Sequence, residues 1–244
     1  MSDRAARSRS FESVASEYER HRPEYPEEAV RWAVEQFGLD SGAHVLDVGA
    51  GTGKLTRGLV ALGFDVVAVE PGASMLNQLR TAVPEAEALE GPAEAIPLPD
   101  ESVEAAFAAQ AYHWFDREQA LPELHRVLSP GGGLALLWNW WDERDPLQLE
   151  LGELVGYAGH RPHPEEELPG EPWFRELGRT VIDSVQESSP GALVEYLSTT
   201  SAYVVAEPAE QEESLRAVHE IASRYGERFP LPRRTYVFAF ERLS

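Results

Sequence analysis

Three glycines stand at every second position after a short apolar stretch, at Gly49, Gly51 and Gly53. Asp47 precedes them, and a helical pattern begins at Lys54. Glycine lets the backbone turn sharply and approach a bound molecule closely, because no Cβ is in the way. The first turn of a helix favours a negatively charged ligand group. This combination predicts a ligand-binding loop between a buried strand and a helix.

The spacing of these glycines differs from the G-x-G-x-x-G fingerprint of dinucleotide-binding loops. A third glycine would have to stand at position 54 or 56, where the sequence has Lys54 and Thr56. The pattern therefore argues against a nicotinamide-dependent oxidoreductase. A purely structural glycine turn in another kind of α/β protein stays open at this point.

A second acidic residue, Glu70, ends the next apolar stretch. It stands at the distance from the first glycine at which nucleotide-binding βαβ units carry a ribose-binding carboxylate. A carboxylate has two acceptor oxygens, which suit the two hydroxyl groups of an unphosphorylated ribose. The alternative is that Glu70 caps the helix that is predicted over 72–82.

These residues need a framework that brings the ends of several strands together. Strand-like apolar stretches over 45–48, 64–69, 86–90, 103–109 and 134–138 alternate with helical patterns over 54–62, 72–82 and 117–128. The alternation predicts a doubly wound, mostly parallel α/β sheet, in which ligands bind beyond the C-terminal ends of the strands. The glycines, Glu70, the Ala93–Glu94 pair and residues 110–114 all follow predicted strands, so we expect one site at this edge.

The length of 244 residues suits one α/β domain with insertions. After position 138 the alternation weakens, with strand patterns over 180–185 and 235–240 and helical patterns over 147–157, 190–198 and 208–225. We therefore expect a disordered tail over 1–10 and a single domain over 11–244. The segments expected to form a cap over the site are 11–38, 139–178 and 187–230.

Composition and charge exclude several function classes. The formal net charge is −21 and the sequence shows no dense basic patch, so we expect no nucleic acid partner. The chain has no Cys, and His160 and His163 have no third ligand nearby in the sequence, so we expect no metal site. No apolar stretch could span a bilayer and no signal peptide is visible, which predicts a soluble, cytoplasmic protein without a membrane partner. A monomer and a homodimer both stay open.

Five segments in a fixed order resemble the class I S-adenosylmethionine (SAM)-dependent methyltransferases. Within that class they are similar to the small-molecule enzymes related to ubiquinone and menaquinone C-methyltransferases. The segments are VLDVGAGTG, the Glu70–Pro71 pair, GPAEAIPLPDESV, AYHWFD and RVLSPGGG. The resemblance implies a Rossmann-like, seven-stranded sheet whose last strand is antiparallel. It also implies SAM as the methyl donor and S-adenosylhomocysteine as the product.

The resemblance further implies a set of cofactor-binding residues. Glu70 would bind the ribose hydroxyls, Arg22 would pair with the methionine carboxylate, and Met75 would pack on the adenine. The full set is Tyr18, Arg22, Asp47, Gly49, Ala50, Gly51, Gly53, Glu70, Pro71, Met75, Ala93, Glu94, Gln110 and Ala111. The family often has an Asp that accepts the adenine amino group where this chain has Pro92. Glu94 or a backbone carbonyl would then have to take that role.

Methyl transfer from an activated donor depends largely on alignment, and a general base adds rate when the nucleophile must lose a proton. His113 is the candidate base, because it follows a predicted strand and because imidazole titrates near neutral pH. The alternative is that His113 and Trp114 only form a wall of the pocket. His21 is a second candidate base.

Trp138, Trp140 and Trp141 form the densest aromatic cluster in the sequence, at the end of the fifth predicted strand. Aromatic walls favour flat, apolar molecules, which suggests a small aromatic acceptor. The alternative is that these tryptophans are core residues between the sheet and the cap. The expected acceptor-binding residues are His21, Tyr25, His113, Trp114, Trp138, Trp140 and Trp141.

The function expected from these patterns is methyl transfer from SAM to a small-molecule acceptor by in-line displacement. A second hypothesis is a methyltransferase-like protein that binds SAM without catalysis. A third is the nicotinamide-dependent oxidoreductase that the glycine spacing disfavours.

Overall fold

The computed structural model describes residues 15–154, 163–166, 168–204 and 206–244, so the tail predicted over 1–10 lies outside the described residues. The strands are β1 (His44–Val48), β2 (Asp65–Glu70), β3 (Glu87–Glu90), β4 (Val103–Ala109), β5 (Leu128–Trp141), β6 (Phe174–Ser188) and β7 (Phe229–Arg242). They form a seven-stranded sheet in the order β3-β2-β1-β4-β5-β7-β6. β7 is antiparallel to β5 and β6, and the other neighbouring pairs are parallel. The predicted fold class is confirmed.

Helices cover both faces of the sheet. The described helices are α1 (Ala15–His21), α2 (Glu27–Phe37), α3 (Lys54–Ala61), α4 (Ala73–Ala82), α5 (Arg117–Val127), α6 (Pro146–Leu154), α7 (Pro190–Ser198), α8 (Ser201–Val204) and α9 (Pro208–Ser223). In β1, Val45 packs with α2 and α3 on one face, whereas Leu46 and Val48 pack with α5 on the other. A strand that is buried on both faces needs apolar residues on both sides, which explains the continuous apolar run before the glycine loop. Within the described ranges, no helix combines the length and the apolar character needed to cross a membrane.

The first segment expected as a cap, 11–38, has two parts in different positions. α1 contacts α4 and α7, close to the C-terminal edge of the sheet. α2 instead buries Ala29, Val30 and Ala33 in the core beneath the sheet. Its apolar stripe is typical of a helix that packs on a sheet. α2 therefore belongs to the helix layer of the sheet rather than to a cap.

The last three strands extend well beyond their sequence patterns. β6 and β7 pair from Phe174 opposite Arg242 to Ser188 opposite Phe229, so their length is set by backbone pairing. β7 contains Pro230 and Pro232, which lie past its last pairing with β5, where it has a neighbour on one side only. A proline is tolerated there because its missing N–H faces no partner strand. The expected cap segment 139–178 thus contributes the end of β5 and the start of β6 to the sheet.

The insertion between β6 and β7 contains α7, α8 and α9, and we call it the helical cap (190–223). Its apolar side chains pack with α6 and with the extended ends of β5 and β7. The cluster consists of Trp141, Leu147, Leu151, Leu193, Tyr196, Leu197, Val218, Ala222, Phe229 and Leu231. It is separate from the two clusters that cover the sheet. The helical cap is therefore built on a second core at one end of the sheet.

Candidate active site

A cavity of about 400 Å³ lies at the C-terminal edge of the sheet, between the strand ends and the helical cap. This volume is within the range of small-molecule sites. Its walls are formed by Tyr18, Arg22, Pro23, Tyr25, Asp47, Gly49, Ala50, Gly51, Thr52, Lys54, Leu55, Glu70, Pro71, Gly72, Met75, Pro92, Ala93, Glu94, Ala109, Gln110, Ala111, Trp114, Phe115, Asn139 and Tyr196. The single site predicted at this edge of the sheet is therefore present as a cavity.

The glycine loop after β1 is held tightly against its neighbours. The amides of Gly49 and Ala50 both donate to the carbonyl of Val69 in β2, at 2.8 and 3.1 Å. Gly49 has a φ of +68°, and a Cβ there would lie 2.6 Å from the Cβ of Ala111. Only glycine fits at this position, because any side chain would collide with the loop after β4.

Glu70 joins the glycine loop to the start of α4. Its Oε2 accepts from the amide of Gly51 at 2.9 Å, and its Oε1 accepts from the amide of Gly72 at 2.8 Å. The side chain is buried and forms part of the cavity wall. One carboxylate thus bonds to the amide at the start of α4 and also faces the cavity, and its contact with a ribose stays a prediction.

Asp47 is a buried carboxylate in the cavity wall. Its Oδ2 accepts a 2.6 Å hydrogen bond from Thr56 Oγ1, but its buried Oδ1 has no partner among the described residues. Burial raises the pKa of Asp47 to about 7, against the hydrogen bond from Thr56, and the nearby charge of Glu70 adds to the rise. The buried Oγ1 of Thr52, also in the wall, has no partner in the described part of the chain. The cavity thus has polar groups that a ligand could satisfy.

A charge cluster anchors the N-terminal segment beside the cavity. Lys54 Nζ donates to the carbonyl of Glu19 at 2.7 Å and to Glu24 Oε1 at 3.2 Å. Arg57 donates to Glu19 Oε1 at 2.6 Å and to Glu24 Oε1 at 2.9 Å. Lys54 is only 9% exposed, so its charge is shielded from water and its pairing is firm. These contacts connect α3 to α1 and to the turn after it.

Arg22, from this N-terminal segment, also contacts the helical cap. It donates from Nε to Thr199 Oγ1 and from Nη2 to the Thr199 carbonyl, both at 2.9 Å. Its guanidinium carbon lies 4.8 Å from the centre of the Tyr196 ring and 5.1 Å from that of Tyr18. Arg22 therefore closes the cavity by connecting two segments that are distant in the sequence.

Comparisons with known proteins agree with this architecture. Residues 46–136 match the family described as methyltransferase domain. An uncharacterised methyltransferase of Mycobacterium tuberculosis is 46% identical over 201 residues, which cover 82% of this chain and 80% of that protein. The chain is a class I SAM-dependent methyltransferase. A ubiquinone/menaquinone biosynthesis C-methyltransferase of Hahella chejuensis is 37% identical over 117 residues, 44% of this chain and 47% of that one.

A solved structure from Anaeromyxobacter dehalogenans, provisionally assigned as a type II methyltransferase, has the same fold. The TM-score is 0.68 with 28% sequence identity, over 91% of this chain and 97% of that one. The match extends well beyond residues 46–136, so the likeness includes the later strands. The family resemblance inferred from the motifs is confirmed.

The expected cofactor-binding residues of the methyltransferase lie together in the cavity wall, with the exception of Gly53. Gly53 precedes α3 with a φ of +89°, and a Cβ there would lie 3.0 Å from Leu79 Cγ and 3.2 Å from Val83 Cγ2. It is needed for the close approach of α3 and α4, and its contact with the cofactor stays a prediction.

The predicted adenine end of the cavity is formed by Pro92, Ala93 and Glu94, opposite Met75. Glu94 Oε1 accepts from the amide of Asp116 at 2.6 Å, just before α5. That hydrogen bond fixes the carboxylate at the start of a helix. The contact of Glu94 with an adenine amino group stays a prediction.

The cavity wall also contains Gln110, Ala111 and Asn139. Gln110 has a φ of +53°, which is rare for a residue with a side chain, and its Nε2 donates to the Asn139 carbonyl at 2.5 Å. Asn139 in turn donates to the Glu24 carbonyl at 3.2 Å and accepts from Thr235 Oγ1 at 2.7 Å. Strained, fully bonded positions of this kind cluster at functional sites.

The three tryptophans expected around the acceptor lie in the hydrophobic core and outside the cavity wall. Trp138, Trp140 and Trp141 are 4%, 6% and 5% exposed. Trp138 and Trp140 belong to the cluster on the α5 face of the sheet, and Trp141 belongs to the core of the helical cap. The structure thus matches the alternative, in which they are core residues.

The two histidine candidates also lie outside the cavity wall. His113 Nδ1 accepts from the indole N–H of Trp138 at 3.3 Å, and His21 Nδ1 lies 3.1 Å from Glu195 Oε2. Among the expected acceptor-binding residues, Tyr25 and Trp114 do form part of the wall. The base role expected for His113 stays a prediction.

His163 packs its ring against Trp140 and Tyr236, and His160 lies outside the described residues. In the described ranges, no cluster of three or more acidic or histidine side chains could hold a metal ion.

Sequence reasoning missed several residues of the cavity wall, above all Thr52, Lys54, Asn139 and Tyr196. Thr52 and Lys54 are next to the glycines of the motif, so their position in the sequence could have indicated that they face the ligand. Tyr196 lies in an insertion without a motif, and no local pattern points to it.

Proposed function

We propose that this methyltransferase transfers the methyl group of SAM to a small-molecule acceptor within the cavity. The observation that carries the proposal is the buried Asp47 carboxylate, whose Oδ1 has no partner in the described chain and which forms part of the cavity wall. A buried, unpaired acceptor at this place calls for a cationic or hydrogen-bonding ligand group. The ammonium group of the methionine part of SAM fits that requirement.

The residues around Asp47 suit the rest of the same ligand. The glycine loop allows close approach of the backbone, and Glu70 presents a carboxylate that suits the ribose hydroxyls. Arg22 belongs to the cavity wall and is bonded to Thr199 of the helical cap, which supports its pairing with the methionine carboxylate. SAM, when bound, supplies a methyl group that is already activated on a sulfonium. The chain then has to orient the two reactants and exclude water from between them.

The aromatic residues of the cavity wall support an aromatic acceptor, and one of them, Tyr196, was not expected from the sequence. Tyr25, Trp114 and Tyr196 contribute aromatic rings to the wall. Flat apolar molecules pack well against such rings. We infer an aromatic or otherwise planar small molecule as the acceptor.

Calorimetric titration with SAM, S-adenosylhomocysteine and NADH tests the cofactor proposal. We expect binding of the first two and none of NADH. Glu70→Ala should abolish the binding, whereas the matched control Glu90→Ala should not. Glu90 pairs with Glu70 in the neighbouring strand, but it is exposed and lies outside the cavity wall. Binding that is unchanged in Glu70→Ala would contradict the assignment.

Turnover is tested separately with methyl-labelled SAM and a panel of small acceptors. The panel contains hydroxylated aromatics, aromatic amines and aromatic carboxylic acids. Transfer of the label to a panel member would support the proposal that the protein catalyses methyl transfer. Binding of SAM without transfer to any of them would favour the alternative, a SAM-binding protein without catalysis.

A further inference from the structure

Tyr196 of the helical cap forms part of the cavity wall and lies between two arginines from other parts of the chain. The guanidinium carbons of Arg22 and Arg233 lie 4.8 and 4.9 Å from the centre of its ring. Arg22 Nη1 donates to the Tyr196 hydroxyl at 3.4 Å. The side chain is 5% exposed and forms part of the cavity wall. A phenol group is thus held in a buried, positively charged environment that is open to the cavity.

Arg233 has few partners for a buried cation. It lies on β7 opposite Trp141, it is 7% exposed, and its Nε has no hydrogen-bond partner among the described residues. Over the described ranges, no carboxylate comes within ion-pair distance of it. A buried charge is costly unless a counter-charge is near. The Tyr196 phenolate would provide that counter-charge.

The charged groups around Tyr196 make its phenolate easier to form than that of an ordinary tyrosine. Although burial raises the pKa of Tyr196, the charges of Arg22 and Arg233 lower it to about 8, helped by hydrogen bonds with Trp141 and Arg233. The neighbouring carboxylate on α7, Glu195, contacts His21 of α1 at 3.1 Å. The charged groups that face the phenol from α1, its following turn and β7 are therefore cationic or already paired.

We propose that Tyr196 is the general base of the reaction and takes the proton from an acceptor hydroxyl group, with Arg22 and Arg233 stabilising its phenolate. This inference rests on the proposed function. The acceptor oxygen forms a bond to the methyl carbon, and the S–CH₃ bond of SAM breaks with its electron pair left on sulfur. The hydroxyl proton passes to Tyr196 Oη and then to solvent. A hydroxyl acceptor follows because a phenolate is well matched to oxygen acids of similar strength.

A titration without any acceptor tests the state of Tyr196. Tyrosines are isotope-labelled in the full chain, and their ring signals are followed by NMR as the pH is raised. We expect one tyrosine to titrate well below the ordinary pKa of about 10. That signal should vanish in Tyr196→Phe, persist in the exposed-site control Tyr225→Phe, and titrate at higher pH in Arg233→Gln. The absence of an early-titrating tyrosine would overturn the proposal.

The catalytic role is tested by turnover with the hydroxylated aromatics of the panel. Tyr196→Phe should lower kcat by about 10²-fold or more, the usual contribution of a general base, and should remove the alkaline rise of the pH profile. SAM binding, measured by calorimetry, should be retained in this variant.

The outcomes separate the two proposals. If the unmodified chain does not bind SAM, the proposed function is wrong. Normal SAM binding with a kcat and a pH profile that are indifferent to Tyr196→Phe would overturn only the role of Tyr196. Transfer to amines or carboxylic acids alone would also overturn it.

Discussion

The two ends of the cavity are built in opposite ways. At one end, which we call the glycine edge (47–53 with Glu70), geometry is local: Gly51 and Gly72 donate to Glu70, and Thr56 donates to Asp47. At the other end, Arg22 reaches Thr199 across 177 positions of sequence. The first end needs a short motif and two adjacent strands. The second needs the whole chain to be folded before any of its groups meet.

With the exception of Arg22, which we assign to the methionine carboxylate, this difference separates what binds the donor from what selects the acceptor. A local motif holds its shape whenever the sheet forms, which suits a cofactor shared by a large family. A cap assembled from distant segments can change its lining without disturbing the sheet. We therefore expect substitutions at the glycine edge to affect SAM binding and substitutions in the helical cap to affect the acceptor.

The largest effect is expected at Gly49. In Gly49→Ala the new Cβ would lie 2.6 Å from Ala111 Cβ at a φ of +68°. Backbone strain and overpacking together should cost about 2–5 kcal/mol of unfolding free energy and abolish SAM binding. The control is Gly38→Ala, with a φ of +62° but no atom within 4 Å of the new Cβ. This variant should lose about 1–2 kcal/mol of unfolding free energy, measured by chemical denaturation, and should keep its affinity for SAM. If both variants lost the same unfolding free energy and the same affinity for SAM, the close packing at Gly49 would not explain the effect.

The next effect concerns the anchor of the N-terminal segment. Lys54→Met removes the buried partner of Glu19 and Glu24, which keep their ion pairs with Arg57, and should cost about 1–3 kcal/mol of unfolding free energy. SAM affinity should fall with it, because Tyr18 and Arg22 lose their support. The exposed pair Arg31–Glu27 provides the control, since Arg31→Met should cost less than about 1 kcal/mol. A Lys54→Met protein that binds SAM normally would show that the anchor is dispensable.

Asp47 should make both stability and binding depend on pH. Its folded-state pKa of about 7 lies above the unfolded value of about 4, so the native state favours the neutral form. The resulting penalty is absent below pH 4, grows as the pH rises to about 7, and is constant above. Asp47→Asn should therefore stabilise the ligand-free protein at pH 8 by roughly 1–4 kcal/mol, and by less at pH 5.

The same substitution should weaken SAM binding, because the counter-charge of the ammonium group is lost. In the unmodified protein, SAM affinity should rise with pH up to about 7 and then level off, as Asp47 loses its proton on binding. Calorimetry in buffers of different ionisation enthalpy measures that proton. An affinity that is flat from pH 5 to pH 8 would remove Asp47 from the site.

The smallest effect distinguishes core tryptophans from wall tryptophans. Trp140→Phe should cost about 1–2 kcal/mol in thermal unfolding, because the residue is buried against His163 in the core, and it should leave the acceptor KM unchanged. Trp114→Phe is the matched variant in the cavity wall, and it should change the acceptor KM with little loss of stability. The reverse result would restore the role first expected for the tryptophan cluster.

The parts of the molecule that follow a local rule were predictable. β1 and β2 and the helices after them are close to their predicted ranges, since continuous apolar strands, glycine turns and amphipathic helices leave direct patterns. β6 was predicted over 180–185 and runs from Phe174 to Ser188, because its length depends on pairing with β7. The tryptophans of β5 show the same limit, because a cluster of aromatic residues in the sequence does not reveal whether other elements bury their side chains.

By itself, the sequence determined the sheet class, the glycine loop, the two carboxylates Asp47 and Glu70, and the family. Each of these depends on residues that are neighbours in the chain or on periodicity within one element. Only the tertiary structure decided that Arg22, Arg233 and Tyr196 meet, that Lys54 anchors α1, and that Gly53 serves helix packing. Those contacts join segments that are distant in the chain, so no local sequence pattern records them.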